Sequence, residues 1–280
     1  MDTIALVQQA LAEDTPTTDI TSDLLIPTDA HGNATMYSKS PGVFFAGPIV
    51  AALATIHNEL TINNQVEDGA IIQPNTPCLT ISGPINHILG VERVLLNFIQ
   101  RLSGISTTTR DYVTALNDTT IGIYDTRKTT PLLRHLEKQA VVAGGGKNHR
   151  FSLSDMMLIK ENHLAHYIKN NDFQTLNNKL AAFKSECPTI QIEIEIDRIE
   201  LLQSIDIASC DILLFDNMNL DQLQSCFNYL TQFSSQPLIE VSGNITLDTI
   251  HQYRGLPIDR ISVGSLTHSV KALDVSLLIE

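Results

Sequence analysis

The run IQIEIEID (190–197), followed a helix-length later by DILLFDN (211–217), decides the fold. Each run is short, β-like and apolar in its body, and each ends in acids or amides. The same unit recurs as IGIYDTRK (121–128), MMLIKENH (156–163), PLIEVSGN (237–244) and RISVGS (260–265). Strands alternating with helices imply parallel βαβ connections. At least six such strands after about residue 120 predict an α/β barrel or a long open sheet. In barrels of this kind chemistry collects at the C-terminal strand ends. Arg127, Lys128, Lys160, Glu195, Asp216 and Ser242 all fall there. Purely structural strand ends would be mostly apolar, so this concentration of charge points to a site.

Working outward, residues 1–90 read as an α+β region. A helix near 4–13 carries Ile4, Val7 and Leu11 on one face. Pro- and Gly-punctuated β segments follow, ATMYSKSPGVFFAGP and VEDGAIIQPNTPCLTISGP, with a helix around 48–60 between them. A long helix faced by Val94, Leu95, Phe98, Ile99 and Leu102 then leads into the barrel. No internal repeat, low-complexity tract or loose linker is apparent.

Composition excludes several classes. The chain has 280 residues, 43% hydrophobic and 18% charged, the mix of a folded protein. A net charge of −13 argues against nucleic acid or an anionic membrane as partner. No apolar run reaches the ~18 residues of a membrane span, and MDTIALVQQALAED has no basic leader, so a cytoplasmic location is expected. Cys78, Cys187, Cys210 and Cys226 show neither CxxC nor zinc-finger spacing. Within 101–160, however, nine basic side chains stand against five acidic ones. A positive cleft in an acidic body suits a small polyanion, although Arg134, Lys138 and Lys147 would also suit a solvated helix face.

The motifs refine this. Arg127 offers a planar fork and Lys128 a mobile point charge ahead of a Thr-Thr-Pro turn, though such a pair also serves as a salt bridge. Gly144-Gly145-Gly146-Lys147-Asn148-His149-Arg150 is not a phosphate loop of the Walker type, because Asn148 stands where Ser or Thr should follow Lys. Its glycines allow either a tight turn or close backbone approach, and His149 and Arg150 add donors beside it. Lys160 ends an apolar strand, where an unpaired ammonium is costly. His163 and His166 have metal-ligand spacing without a third ligand nearby. Glu193, Glu195 and Asp197 share one strand face and call for cationic partners or a metal. With Asp216, they suit Mg²⁺ held largely by a substrate's phosphates; a structural ion-pair role is the alternative. Ser242-Gly243-Asn244 and Gly264-Ser265 end the last two strands, where many barrels cradle phosphate.

The whole chain resembles the quinolinate phosphoribosyltransferase family, also called nicotinate-nucleotide pyrophosphorylase (carboxylating). The resemblance is carried in order by AEDTPTTDITSDLLIP, ERVLLNFIQRLSGIST, DTRKTTPLLRHLEKQAVVAGGGKNHR, SDMMLIKENH, IEIEID, LLFDNM, IEVSGNIT and ISVGSLTHS. It implies an N-terminal α/β sandwich domain (1–105, joined by the tail 268–280) and a seven-stranded, incompletely closed α/β barrel (106–267). It implies quinolinate and phosphoribosyl pyrophosphate as substrates, Mg²⁺ as cofactor, and a homodimer or higher assembly with a shared active site. By resemblance, Arg101 reaches quinolinate in the neighbouring subunit. Thr126, Arg127, Lys128, His149, Arg150 and Lys160 line the dicarboxylate and phosphate pocket, Glu195 and Asp216 face ribose and metal, and Lys160, Glu195 and Asp216 form the catalytic set. Ser242, Gly243, Asn244, Val263, Gly264 and Ser265 hold the 5′-phosphate. Gln139 and His166-Tyr167 depart from the family pattern outside these positions. A non-catalytic, transport-linked anion binder of the same fold is the competing reading, which the paired acids Glu195 and Asp216 disfavour.

Overall fold

The computed structural model describes residues 2–280. Helices α1 (Thr3–Asp14) and α2 (Ile20–Leu25) come first, and α2 starts where the Asp19 carboxylate accepts the Thr21 and Ser22 backbone N–H groups. Next come β1 (His31–Ser38), β2 (Gly42–Val43), α3 (Gly47–Ile56), β3 (Thr61–Asn64), β4 (Ile71–Ile72), β5 (Pro77–Pro84) and the long α4 (Ile85–Leu116). The helix expected over 48–60 ends early, because the Leu60 N–H turns back to the His57 carbonyl. A four-stranded antiparallel sheet places β1 between β5 and the C-terminal strand Val275–Ile279, with β3 beyond β5. Ala34, Met36, Leu79 and Ile81 of the sheet and Ile49, Leu53, Leu95 and Ile99 of the helices are fully buried, forming the core of this unit.

The barrel elements follow: β6 (Gly122–Tyr124), α5 (Arg134–Ala143), β7 (Met157–Ile159), α6 (Glu161–Asn170), α7 (Phe173–Glu186), β8 (Ile192–Ile196), α8 (Ile199–Ser204), β9 (Ile212–Asp216), α9 (Leu220–Leu230), β10 (Leu238–Ser242) and β11 (Arg260–Ser262). The chain closes with α10 (Ser265–His268) and β12 (Val275–Ile279). Six strands pair in parallel in the order β6-β11-β10-β9-β8-β7. Ile192, Ile194, Ile212, Leu213, Phe215, Val241 and Ile261 have no exposed surface, as expected of strands covered on both faces. The seventh strand expected from the resemblance is reduced to one parallel bridge between Tyr124 and Lys147. With Gly144-Gly145-Gly146 just before it and the Asn148–Asp155 turns after it, that segment is too short for a ladder. Among the described residues no ladder joins it to β7, so the sheet stays open.

The division into units differs from the sequence boundaries. Residues 1–111, 129–146 and 265–280 cluster as one unit, and 112–128 with 147–264 as the other. The segment 129–146 leaves the barrel because its polar groups bond elsewhere: Glu137 binds Arg101, and the Ala140 carbonyl accepts from Ser106 of α4. Among the described residues no helix is long and apolar enough to cross a membrane.

Candidate active site

In the barrel unit, the parallel register sets Ile159 beside Ile194, which brings Lys160 and Glu195 to adjoining strand ends. Lys160 Nζ meets Glu195 Oε2 at 2.5 Å. The lysine caps α6, and the ring of His163 accepts the Lys160 backbone N–H at 3.0 Å. His163 therefore serves as a helix cap, and His166 contacts Asn170 one turn on. Neither joins a group of three metal-binding side chains among the described residues. Glu195, Asp216 and Asn217 line one cleft of about 240 Å³ together with Glu161 and Asp197, and Arg198 is the single cation in its lining.

The ends of β9 and β10 interlock. Ser242 donates to Asp216 Oδ1 at 2.5 Å, Asn217 Nδ2 donates to Asp216 Oδ2 at 2.7 Å, and the Asn217 N–H reaches the Ser242 carbonyl at 2.9 Å. Asn244 Nδ2 donates to Asn217 Oδ1 at 3.0 Å. Asn217, Gly243 and Asn244 all have positive φ, at 56°, 92° and 52°. A Cβ on Gly243 would stand 2.2 Å from Asn217 Oδ1, so glycine is required there by space as well as by φ. At the end of β11 the Val263 N–H binds the Tyr124 carbonyl, and α10, only four residues long, starts at Ser265.

Inside the barrel a second constellation forms. His149 Nε2 lies 2.9 Å from Glu193 Oε2 and 3.4 Å from Glu240 Oε1, and both carboxylates are fully buried. His149 Nδ1 accepts the Arg150 N–H at 2.8 Å, which leaves the ring proton on Nε2, facing the acids. The His149 N–H in turn binds the buried Asp125 carboxylate at 2.8 Å, fixing this segment to the end of β6. Burial and then the Glu193 charge push the Glu240 carboxyl up to about 7, against the pull of His149, Ser262 and Arg260. Burial and the nearby Arg127 guanidinium lower Arg150, while Glu193 and Asp155 act the other way. Arg150 also donates to the Met156 carbonyl at 3.1 Å. Thr126 Oγ1 accepts the Lys128 N–H at 3.0 Å, holding Arg127 and Lys128 in the turn after β6. Each acid expected on the β8 face thus meets a basic side chain: Glu193 His149, Glu195 Lys160, and Asp197 Arg198.

Arg101 belongs to the first unit. Its guanidinium donates to the fully buried Glu137 at 2.7 and 2.9 Å, to Thr130 Oγ1 at 2.7 Å and to the Thr267 carbonyl at 3.0 Å. Lys138, which suited a solvated face in sequence, is fully buried. The glycine triplet is a packing device: a Cβ on Gly144 would come within 2.4 Å of the Ser106 carbonyl, and one on Gly146 within 2.7 Å of Thr109. Sequence reasoning passed over Asp125, Glu137, Asn217 and Glu240 as site-shaping groups. A usable signal existed for Glu240, a lone charge between apolar residues in a β run, where burial with a partner is the expected state.

The barrel unit is thus an open parallel α/β sheet whose strand ends set Lys160 against Glu195, with Glu195 and Asp216 lining one cleft. The chain belongs to the quinolinate phosphoribosyltransferase family: the family's N-terminal domain matches residues 19–103 and its C-terminal domain residues 105–278. The probable nicotinate-nucleotide pyrophosphorylase (carboxylating) of Bacillus subtilis is 38% identical, covering 97% of this chain and 91% of that one. The Mycobacterium leprae nicotinate-nucleotide pyrophosphorylase (carboxylating) is 35% identical over 92% and 90% of the two chains. The crystal structure of NadC from Streptococcus pyogenes superposes with a TM-score of 0.89 at 35% identity, covering 99% of this chain and 96% of that one.

Proposed function

We propose that this chain transfers the phosphoribosyl group of phosphoribosyl pyrophosphate to quinolinate and releases CO₂, giving nicotinate mononucleotide and pyrophosphate for NAD biosynthesis. The observation that carries the proposal is the pairing of Lys160 with Glu195 beside Asp216 at adjoining barrel strand ends, in a chain whose two halves both match this family. The pyridine nitrogen forms the new bond to the ribosyl carbon as the bond to pyrophosphate breaks. The 2-carboxylate leaves as CO₂, and the electron pair left on the ring carbon takes up a proton.

Arg127, Lys128, Arg150 and Lys160 supply fixed positive charge for a dicarboxylate and a phosphorylated sugar. A unit pair at 4 Å contributes about 4 kcal/mol at an effective dielectric of 20. Positioning and electrostatics do most of the work in such a displacement. His149 spends both ring nitrogens on protein groups, so its part is to orient the backbone of Arg150. Ser242, Gly243, Asn244, Val263, Gly264 and Ser265 offer backbone and small polar groups to the 5′-phosphate. The cleft's carboxylates and the Asn217 amide offer hard oxygen donors in excess over its single cation, which fits Mg²⁺. Glu195 and Asp216 would hold the ion, which supplies charge neutralisation for the pyrophosphate leaving group. The enzyme works in the cytoplasm as a homodimer or larger assembly in which Arg101 completes the partner's site. All four cysteines are free, as suits a reducing compartment.

The decisive experiment incubates the purified chain with quinolinate, phosphoribosyl pyrophosphate and Mg²⁺ and follows nicotinate mononucleotide. Quinolinate turns over, and nicotinate, lacking the second carboxylate, does not. Equal rates on the two acids, or none on either, refute the assignment.

A further inference from the structure

A second cluster of metal-binding side chains lies in the first unit. His57 sits just past the end of α3, Glu59 lies two residues on in the turn before β3, and His87 lies in the first turn of α4. Far apart in sequence, the two imidazoles converge on one atom. His57 Nδ1 lies 2.9 Å from Glu59 Oε1, and His87 Nδ1 contacts the same oxygen. The ring centroids are 5.9 Å apart at an interplanar angle of 74°, so the rings do not stack over each other's donors. All three donor atoms lie within 4.8 Å of one another. Side-chain exposures of 26%, 31% and 41% for His57, Glu59 and His87 leave the group open to water.

We propose that His57, Glu59 and His87 form a site for a divalent transition metal, with Zn²⁺ as its ordinary occupant and water completing the coordination. Two imidazole nitrogens and a carboxylate oxygen are a donor set that zinc accepts, whereas Mg²⁺ and Ca²⁺ prefer oxygen alone. Zinc bonds of about 2.0–2.2 Å place tetrahedral donors about 3.3 Å apart. The imidazole nitrogens must therefore draw back from the shared Glu59 oxygen by up to about an ångström, a movement that partly exposed side chains permit. In the tautomer with its proton on Nε2, each imidazole presents the Nδ1 lone pair to the ion. Among the described residues no Lys or Arg forms an ion pair with Glu59 to compete for it. The bound ion would clasp the end of α3, the following turn and the start of α4.

The test is a Zn²⁺ titration of the full chain against a chromophoric chelator, repeated on His57→Ala, His87→Ala and Glu59→Gln, with circular dichroism to establish that each is folded. Differences between variants isolate this site from zinc taken by cysteines or by the barrel's acids. The expected result is one equivalent bound with micromolar affinity in the parent chain, weakened at least about tenfold in either histidine variant, a loss of about 1.4 kcal/mol. Glu59→Gln, which keeps the shape and removes the charge, weakens it as well. Absence of that equivalent, or its persistence at full affinity in both folded histidine variants, overturns the proposal.

Discussion

Gly243→Ala provides a quantitative test of how the phosphate-side loops are built. Two effects act at this position. A left-handed φ of 92° costs an L-residue about 1–2 kcal/mol. The new methyl would also stand 2.2 Å from Asn217 Oδ1 and 2.7 Å from the Asn217 backbone nitrogen, so the Asp216-Asn217 turn must move. That movement breaks the Asn244–Asn217 hydrogen bond, worth about 1 kcal/mol. The summed loss is about 2–3 kcal/mol. Gly255→Ala is the matched control, because Gly255 has a φ of 72° but no atom within 4 Å of its added Cβ. Unfolded-chain entropy changes alike in both variants and cancels in the comparison. Urea unfolding followed by circular dichroism should find Gly243→Ala less stable than Gly255→Ala by about 1 kcal/mol or more. Steady-state kinetics should show at least a tenfold loss of kcat/KM for the phosphoribosyl donor in Gly243→Ala alone, equivalent to about 1.4 kcal/mol. Equal stability losses in the two variants, or parental donor kinetics in Gly243→Ala, would refute the interlocked-loop account.

Asp216→Asn should weaken Mg²⁺-dependent use of the donor while leaving quinolinate affinity nearly intact, and Lys160→Ala should do the reverse. Calorimetric titrations of both variants with quinolinate check the division, and equal losses would end it. Glu240, raised by burial to about 7, holds its proton in the folded state over a range where the unfolded chain has released it. Its contribution to stability therefore falls as pH rises from about 4.5 toward 7, and Glu240→Gln removes that slope. Urea unfolding at pH 5 and pH 8 should show the variant gaining on the parent at the higher pH; a constant difference would count against it. Arg101→Ala strands the fully buried Glu137 without its ion-pair partner, for a loss of about 3 kcal/mol. Adding Glu137→Gln should recover part of that loss in the same unfolding assay.

The barrel strands and the residues at their ends were legible because their signal is local. Runs such as ILLFD and IEIEI announce buried parallel strands, and the acids, amides and lysine that follow are where backbone pairing stops. What sequence hid depends on neighbours in space. Nothing near Gly144-Gly145-Gly146 says that its bare backbone is needed against Ser106 and Thr109, because that need arises from the approach of α5 to α4. Lys138 looks like one more surface cation until α5 is docked. His149 meets Glu193 and Glu240 only once the barrel has curled β8 and β10 toward the same interior, and strand order is not written in any one strand. The missing seventh strand follows from segment length: one bridge at Lys147 is all the chain supplies before it turns again.

The pairing of β12 with β1 has a bearing on biosynthesis. Ala34 through Ser38 find their partners at Ile279 through Val275, nearly the whole chain away. During translation, β1 can pair with β5 as soon as the hairpin region has emerged, but its other edge has no mate until the last of these residues is made. For that interval the nascent chain carries an open β edge with unspent backbone donors and acceptors, a template for wrong pairing with another chain. Completion of the first unit thereby waits for synthesis of residues 275–279, and the barrel strands between have time to form before the outer strand is laid down.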